Sequence, residues 1–147
     1  MQDENMRYSK QRETILQAVR DNKIHPTADQ VYKLVRKENP TISLGTVYRD
    51  LNQLVEAQEI LRLRISGSKD RFDADTSEHY HFLCTKCACF KDIPKDLAKT
   101  LKDLLLQINE QIAVTVSPTS IQFEGVCVAC KRQEENKNQE DVMEQLN

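Results

Sequence analysis

The sequence lacks any long hydrophobic run and any excess of basic charge. Its apolar stretches are only a few residues long, too short to span a bilayer. Its first residues also lack the basic-then-apolar pattern of a signal peptide, so we expect a cytoplasmic protein with no membrane partner. The net charge of -2 mildly disfavours nucleic acid as a partner, because phosphate contacts need clustered Lys and Arg. Basic residues are denser before Asp75, so any nucleic-acid-binding surface must be a local patch.

Histidine is scarce, with three residues, whereas five cysteines are present in a chain of 147 residues. Without an export signal, five cysteines predict metal or redox chemistry rather than a disulfide framework, because cytosolic thiols are kept reduced. The length fits one medium domain or two small ones. No internal repeat is present.

Apolar periodicity predicts three helices in the first half of the chain. Residues from Gln11 to Val19 have apolar side chains at helical spacing. Thr27 and Gln30 form a capping box for a second helix, which cannot continue through Pro40. Ser43 caps a third helix, whose apolar positions recur at three and four residues: Leu44, Val47, Leu51, Leu54 and Val55.

The period then changes to two, which predicts a strand and a hairpin. Leu61, Leu63 and Ile65 alternate with polar residues, and a turn at residues 66–68 leads into Arg71-Phe72-Asp73. Three helices followed by a hairpin predict a winged helix, whose third helix enters the major groove of DNA. We predict contacts to DNA from the side chains on the other faces of this helix: Thr46, Tyr48, Arg49 and Asn52. The alternative is that the helices only pack a core and that these residues are solvated.

The second half of the chain predicts a small α+β domain after a polar hinge. Short strands are expected around Phe82 and Phe90, and a helix with one apolar face follows Pro94. Two more strands are expected at residues 113–116 and 121–126. Residues 132–147 are polar, so we expect a solvated, frayed tail there.

Two CxxC pairs, Cys84 with Cys87 and Cys127 with Cys130, predict a structural zinc site. Each tight turn presents two thiolates to one ion, and four thiolates complete a tetrahedral shell without water. The alternatives are a redox-active dithiol or buried thiols with no role, and neither explains two pairs at matching spacing. Cys89 lies outside both pairs and is expected to be a buried strand residue.

His79 and His81 are two residues apart on an expected strand, so both rings should project from one face. Such pairs are common metal ligands, although an isolated HxH is often a solvated pair. His25, Asp73 and Asp92 lie elsewhere in the chain, and the two acids taken alone would be read as surface charges.

From near its start to about Lys131 the chain resembles the ferric uptake regulator family, because separated motifs occur in the family's order. These motifs are Ser9-Lys10-Gln11-Arg12, His25-Pro26-Thr27-Ala28-Asp29, Thr46-Val47-Tyr48-Arg49-Asp50-Leu51 and His79-Tyr80-His81 followed by Cys84 and Cys87. The residues around Arg71-Phe72-Asp73 and Glu78-His79-Tyr80-His81 most resemble the peroxide-sensing repressors. The iron-sensing branch usually has glutamate at the position of Asp92 and uses further histidines, which this chain lacks.

The resemblance implies a regulatory metal site made of His25, Asp73, His79, His81 and Asp92. Three imidazoles and two carboxylates suit Fe²⁺ or Mn²⁺, while the thiolates suit Zn²⁺. It further implies a homodimer that binds a palindromic double-stranded operator in its metal-bound form. Hydrogen peroxide would then react at bound iron, oxidise His25 or His79 and release the DNA.

The implied architecture is α+β, with an N-terminal winged-helix DNA-binding domain followed by a small α/β dimerisation domain. We place the first domain at residues 1–75, the hinge at 76–78, the zinc-knotted dimerisation domain at 79–131 and a polar, flexible tail at 132–147. Two departures from the family pattern are Gln58 after the third helix and Ala88 after the first CxxC, where the family usually has glycine.

Several alternatives remain open. The nearest is a reversible iron-responsive repressor, in which no ligand is oxidised. Another is an enzyme, but five protein ligands leave an iron oxygenase little room, and Phe90 does not activate Cys89 as a thiol peroxidase would need. We therefore expect no enzyme. A zinc-knotted interaction module without DNA binding would leave the motif from Thr46 to Leu51 unexplained.

Overall fold

The computed structural model describes residues 2–117 and 121–145, and the chain divides into two units, Met1–Ser77 and Glu78–Asn147. The predicted hinge, 76–78, spans this division. The first unit contains α1 (Gln2–Asp21), α2 (Ala28–Val35), α3 (Leu44–Glu56), β1 (Leu61–Leu63) and β2 (Arg71–Asp73). The second contains β3 (His81–Cys84), β4 (Phe90–Asp92), α4 (Lys95–Ile112), β5 (Gln122–Gly125) and α5 (Val128–Gln145). In the described part of the chain, no helix combines the length and apolar character that a membrane span requires.

The first unit is a three-helix domain with an antiparallel hairpin, as the periodicity predicts. In the hairpin, Leu61 pairs with Asp73 and Leu63 with Arg71. The core is built from all three helices and the hairpin, because the apolar stripe of each element faces inward: Ile15, Leu16, Val19, Ala28, Val31, Val35, Ile42, Val47, Leu51, Leu54, Ile60 and Phe72. The first helix begins at Gln2 rather than Gln11, because good helix formers extend it without adding an apolar face.

Both predicted helix caps are present in the first unit. Gln30 N donates to Thr27 Oγ1 at 3.3 Å, and Thr27 N donates to Gln30 Oε1 at 2.9 Å, which completes the capping box of α2. Thr46 N donates to Ser43 Oγ at 3.1 Å at the start of α3. These bonds satisfy backbone N–H groups that have no partner within the helix.

The two departures from the family's glycines fall at left-handed backbone positions. Gln58 has φ 59° and Ala88 has φ 56°. A residue with a Cβ atom costs about 1–2 kcal/mol in this region, whereas glycine enters it freely. The family's preference for glycine therefore has a local conformational reason, and this chain tolerates the strain at both places.

The second unit contains a three-stranded sheet of order β4-β3-β5. β3 pairs antiparallel with β4 and parallel with β5. Its buried apolar residues come mainly from the sheet and its flanks: Tyr80, Leu83 and Phe90. No residue of α4 is buried, and its apolar side chains are exposed along much of the helix: Leu97, Leu104, Leu106, Ile108 and Ile112.

Two sequence predictions for the second unit are wrong. Residues 113–116 form no strand: Ala113 takes a left-handed conformation that ends α4, and Val114 N donates to Asn109 O at 3.1 Å. The tail beyond residue 131 is not frayed up to Gln145, because it continues helix α5. Its many Glu, Gln and Lys residues favour helix even without an apolar face. Residues 146 and 147 lie outside the described part of the chain.

Candidate metal centres and DNA-binding surface

The four cysteines of the two CxxC pairs converge on one point in the second unit. Their sulfur atoms all lie within 4.8 Å of one another. The Cys87 and Cys127 sulfurs are 3.7 Å apart, and those of Cys84 and Cys130 are 4.0 Å apart. Sulfurs bound to one tetrahedral Zn²⁺ with Zn–S bonds near 2.3 Å lie about 3.8 Å from each other. The donor type and the spacing therefore both fit a Cys₄ zinc site.

The sheet brings the two pairs together. Parallel pairing aligns Cys84 at the end of β3 with Gly125 at the end of β5. Thr85 N then donates to Gly125 O at 2.8 Å, and Cys127 N donates to Cys84 Sγ at 3.3 Å. Ala88 N donates to Cys84 O at 2.9 Å and closes the first turn. The two CxxC pairs therefore lie next to each other, at the carboxyl ends of the parallel strands β3 and β5.

Backbone N–H groups favour the thiolate form at this site. Hydrogen bonds from the backbone of Cys87 and Cys127 lower the pKa of Cys84 to about 6. The backbone N–H of Cys130, in the first turn of α5, lowers the pKa of Cys127, as expected for a thiol at a helix N-terminus. These dipoles prepare Cys84 and Cys127 to bind a cation, whereas the neighbouring thiols of Cys127 and Cys87 raise the pKa of Cys130 to about 12.

Cys89 lies beside this cluster without belonging to the tetrahedral four. It is half-buried and immediately precedes β4, so the prediction of a buried strand residue is wrong in detail. Burial and, to a smaller extent, the neighbouring thiols of Cys87 and Cys127 together raise the pKa of Cys89 to about 12. A thiol that holds its proton so firmly is a poor nucleophile. The sequence argument against a thiol peroxidase is strengthened.

In the first unit, His25 and Asp73 form a buried imidazole–carboxylate pair. His25 Nε2 lies 3.2 Å from Asp73 Oδ2, and both side chains are buried. Strand β2 sets this geometry: Phe72 N donates to Pro26 O at 3.0 Å, and Arg71 Nη1 donates to His25 O at 2.9 Å. His25 itself has φ 55°. A left-handed histidine is uncommon, and such strain is concentrated at functional sites.

In the second unit, His79, His81 and Asp92 form another such group. His81 stands opposite Asp92 in the β3–β4 pairing. Asp92 Oδ1 lies 3.6 Å from His79 Nε2 and 3.4 Å from His81 Nε2. The two rings have centroids 4.4 Å apart and so lie on one side, although β3 begins at His81 and the predicted strand position of His79 is wrong. Both rings are buried, whereas the Asp92 side chain is 53% exposed.

Each of these two groups has the composition of part of a metal site. Ligands in adjacent positions around an ion with bonds near 2.1 Å lie roughly 3 Å apart. The nitrogen–oxygen distances of 3.2, 3.4 and 3.6 Å are close to that spacing. Imidazole with carboxylate suits Fe²⁺ or Mn²⁺. Asp73 and Asp92, which would be read as surface charges from the sequence alone, therefore each lie beside a histidine.

Helix α3 presents a continuous exposed stripe on the side away from the core. Tyr48, Arg49 and Asn52 are exposed on this stripe, and Asn52 follows Arg49 by three residues and Tyr48 by four. Thr46 differs, because it is half-buried and its hydroxyl lies 2.9 Å from Ser43 Oγ in the helix cap. Arg62 of the hairpin contacts Asn52.

Sequence reasoning missed Asp50, which is fully buried on α3. It lies three residues after buried Val47 and beside buried Leu51, so the apolar period itself marked it as an inward-facing acid. Its partners, Gln11 and Arg49, are described below with the inference that rests on them.

Comparison with known proteins agrees with the family motifs. The model of the ferric uptake regulator family matches residues 3–121. The peroxide operon regulator of Bacillus subtilis is 29% identical over 134 residues, which cover 91% of this chain and 90% of that protein. The peroxide-responsive repressor of Staphylococcus epidermidis is 28% identical over 128 residues, which cover 87% of this chain and 83% of that protein.

Solved structures give the same answer for the fold. The peroxide stress regulator of Campylobacter jejuni superposes with a TM-score of 0.70 and 27% identity over 86% of this chain and 92% of that chain. The ferric uptake regulator of Francisella tularensis with iron superposes with a TM-score of 0.67 and 26% identity, over 82% of this chain and 91% of that chain. The predicted architecture, a winged-helix DNA-binding domain followed by a small α/β dimerisation domain, is confirmed.

Family members are transcription regulators, so the chain is not an enzyme. The chain belongs to the ferric uptake regulator family, and it most resembles that family's peroxide-responsive repressors.

Proposed function

We propose that this chain is a metal-dependent repressor that releases operator DNA when hydrogen peroxide oxidises a ligand of its regulatory metal. The observation that carries the proposal is the pair of histidine–carboxylate groups, one in each unit. The peroxide-responsive relatives support the assignment of the signal. We place the protein in the cytoplasm, where its free thiols stay reduced.

The two metal-binding sets have different tasks in this proposal. Cys84, Cys87, Cys127 and Cys130 hold Zn²⁺ as a permanent structural ion, because soft thiolates in a closed tetrahedron leave no position for a reactant. The histidine–carboxylate groups hold Fe²⁺ or Mn²⁺. The cysteines are therefore scaffold, and the sensing chemistry belongs to the histidines.

Regulation follows if one ion takes ligands from both groups. His25 and Asp73 belong to the first unit, and His79, His81 and Asp92 to the second. An ion that binds all five residues only in a closed arrangement shifts the population toward that arrangement, in proportion to its differential affinity. We propose that the closed arrangement is the one that binds operator DNA.

The signal step uses the histidines as targets. Fe²⁺ held by these residues would supply the redox chemistry that cleaves hydrogen peroxide, and overall one H₂O₂ would transfer one oxygen to a ring carbon and leave one H₂O. His25 and His79 are the rings that we propose gain oxygen, which weakens them as donors. Loss of one donor removes the advantage of the closed arrangement, and the DNA is released. Mn²⁺ would support the same closed state but resist peroxide.

DNA recognition is assigned to the exposed stripe of α3. Arg49 can form a forked contact with a guanine edge or a phosphate, and Tyr48 is 41% exposed beside it. Asn52 extends the surface toward the hairpin through Arg62. Thr46 stays a predicted contact, although its hydroxyl already serves the cap.

A second copy of the chain is the partner proposed for the second unit. The apolar side chains of α4 are exposed in a single chain: Leu97, Leu104, Ile108 and Ile112 recur on one side of the helix. Exposed apolar surface of this kind marks an interface. A two-fold homodimer would present two copies of α3 to successive half-sites of a palindromic operator.

A reversible iron-responsive repressor is the second candidate, favoured by the similarity to the iron-containing Francisella regulator. The two candidates share every residue assignment and differ only in whether a ligand is oxidised. The experiment must therefore measure oxidation together with DNA release.

The test begins with zinc-containing protein loaded with Mn²⁺, which is used to select tight-binding duplexes from a random-sequence library. Binding of the selected duplex is then measured for the Fe²⁺ and Mn²⁺ forms, before and after one equivalent of hydrogen peroxide. Mass spectrometry follows the tryptic peptides 24–33 and 72–86, which contain His25 and His79. The variant Cys89→Ser serves as a control and should behave like the parent.

Peroxide sensing is supported if only the iron form loses binding and if one oxygen is found on His25 or His79. If both forms keep binding and neither peptide gains mass, the protein is the reversible sensor. Arg49→Ala should lower, without abolishing, the preference for the selected duplex, because Tyr48 and Asn52 remain, while zinc content and dimer formation are unchanged. A preference equal to that of the parent would remove Arg49 from the DNA contacts.

A further inference from the structure

Asp50 is a buried carboxylate within the DNA-facing helix, and its two oxygens have different partners. Oδ2 accepts a hydrogen bond from Gln11 Nε2 of α1 at 2.6 Å. Oδ1 accepts from Arg49 Nε and Arg49 Nη2, each at 3.2 Å. The side chain of Asp50 is 0% exposed, whereas that of Arg49 is 46% exposed. The carboxylate therefore links a buried glutamine contact to a guanidinium at the surface.

This contact is unusual for two consecutive residues of a helix. Side chains at adjacent positions point about 100° apart and do not normally face each other. Here Arg49 Nε and Nη2 both donate to one oxygen, Asp50 Oδ1. Two donors from the same edge of a guanidinium on one carboxylate oxygen restrict the direction in which that edge points, because the guanidinium is planar and its donors are fixed relative to one another.

The orientation of the carboxylate is in turn fixed from α1. A charge buried without partners is strongly unfavourable, so Asp50 depends on the hydrogen bonds that it accepts. Gln11 supplies one of these, and the next residue of α1, Arg12, donates through Nη2 to Gln53 Oε1 at 2.6 Å. Two adjacent residues of α1 therefore bond to the same face of α3 and fix the position of that face relative to α1.

A negative charge at this place works against general attraction to DNA. Non-specific binding comes from Lys and Arg near phosphates, and a nearby carboxylate lowers it. A carboxylate that holds one arginine in a single orientation can instead raise discrimination between base sequences, because base edges are read by directed contacts. The two effects have opposite signs and can be separated by measurement.

We propose that Asp50, held by Gln11, is a positioning residue that orients Arg49 for reading the operator and so sets sequence specificity rather than overall DNA affinity. This inference rests on the proposed function as a DNA-binding repressor. Asp50 itself does not touch DNA in this proposal. It acts through the Arg49 guanidinium, and α1 contributes to recognition through Gln11.

The test is a double-mutant cycle on the full-length, zinc-containing, Mn²⁺-loaded protein. Asp50→Asn keeps the size of the side chain and an oxygen acceptor but removes the charge that pairs with Arg49. It is measured alone and together with Arg49→Ala, against the selected duplex and a scrambled duplex of equal length. Asp70→Asn is the matched control, because it removes a carboxylate near another arginine, Arg62 of the hairpin, and leaves the Asp50–Arg49 contact in place.

We expect Asp50→Asn to lower the specific-to-scrambled affinity ratio about tenfold, the worth of one directed base contact. Affinity for the scrambled duplex should stay equal or rise, because a negative charge is removed. In the Arg49→Ala background, Asp50→Asn should leave the ratio unchanged. Asp70→Asn should leave the ratio within twofold of the parent.

Two results would overturn the inference. One is an equal loss of affinity for both duplexes, which would mean that Asp50 only stabilises the fold. The other is the same tenfold loss in the Arg49→Ala background, which would mean that Asp50 does not act through Arg49. Thermal unfolding checks that the Asp50→Asn protein is folded. If it is not, Gln11→Leu tests the same link from α1, and we expect it to lower the specific-to-scrambled affinity ratio by less than about tenfold.

The inference and the proposed function fail in different ways. If the parent protein prefers no duplex over the scrambled one, the repressor assignment fails and this inference falls with it. If the parent shows a preference that Asp50→Asn leaves intact, the repressor assignment stands and the inference alone is wrong.

Discussion

The two units of this chain are stabilised by different means. The first has a hydrophobic core to which every helix and the hairpin contribute, with Ile15, Val31, Val47 and Leu51 fully buried. The second leaves the apolar side chains of α4 exposed and buries few large residues, while four thiols converge beside its sheet. The comparison teaches that the first unit contains its own stabilising core, whereas in our proposal the second is stabilised by a metal ion and by a partner.

Removing the zinc ligands should give the largest effect and should be confined to the second unit. Cys130→Ser leaves three thiolates, and structural zinc in small domains contributes about 10 kcal/mol or more to folding. We expect loss of bound zinc and of amide hydrogen-exchange protection in β3 and β5, with protection in α1 to α3 retained. Cys89→Ser is the control and should keep both. Protection of β3 and β5 that survives in a zinc-free Cys130→Ser protein would contradict the comparison.

Truncating one leucine in each unit should give an intermediate and unequal effect. Leu51 is fully buried, so Leu51→Ala should lower the free energy of unfolding by about 2–5 kcal/mol. Leu104 is 50% exposed in a single chain, so Leu104→Ala should weaken dimer formation but hardly change the unfolding of the first unit. Urea denaturation and sedimentation of both variants measure the two quantities. Equal losses in urea, with unchanged dimer affinity, would show that α4 is buried within its own chain.

Relieving the two left-handed residues should give the smallest effect, in the stabilising direction. Gln58→Gly in the first unit and Ala88→Gly in the second each remove a strain of about 1–2 kcal/mol. Replacing these residues with glycine costs about 0.4–1 kcal/mol through the greater entropy of the unfolded chain, so we expect a net gain between about 0 and 1.6 kcal/mol. Thermal unfolding at constant zinc measures it. A loss of stability in either variant would mean that the side chain makes a contact worth more than the strain.

Local rules predicted much of the first unit. The capping box of Thr27 and the cap at Ser43 marked the starts of two helices, and the change of period after Leu61 marked the hairpin. The CxxC pairs were equally visible, because a metal turn needs its ligands close in sequence. Helix α5 and the first turns of α1 were missed because they have no apolar face to give a period.

Long-range pairing explains what the sequence could not supply. Asp92 stands opposite His81 only because β3 and β4 pair in one register, and without the family resemblance it would have been read as a surface acid. The apolar period of α3 marks Asp50 as inward-facing, but its partner Gln11 is 39 residues away in the sequence. The local sequence pattern of α1 or of α3 does not predict such a long-range partner.

The parallel pairing of β3 with β5 has a consequence for the order of assembly. The cysteines that meet at Cys87 and Cys127 are 40 residues apart, and closing so long a loop costs entropy before the sheet repays it. An ion held first by Cys84 and Cys87 would capture the second pair of cysteines when that pair arrives. On a growing chain, the second unit can close only after Cys130 has left the ribosome, whereas the first unit, complete by then, can already be folded. Availability of zinc during synthesis would therefore set how quickly a finished chain becomes able to pair with another.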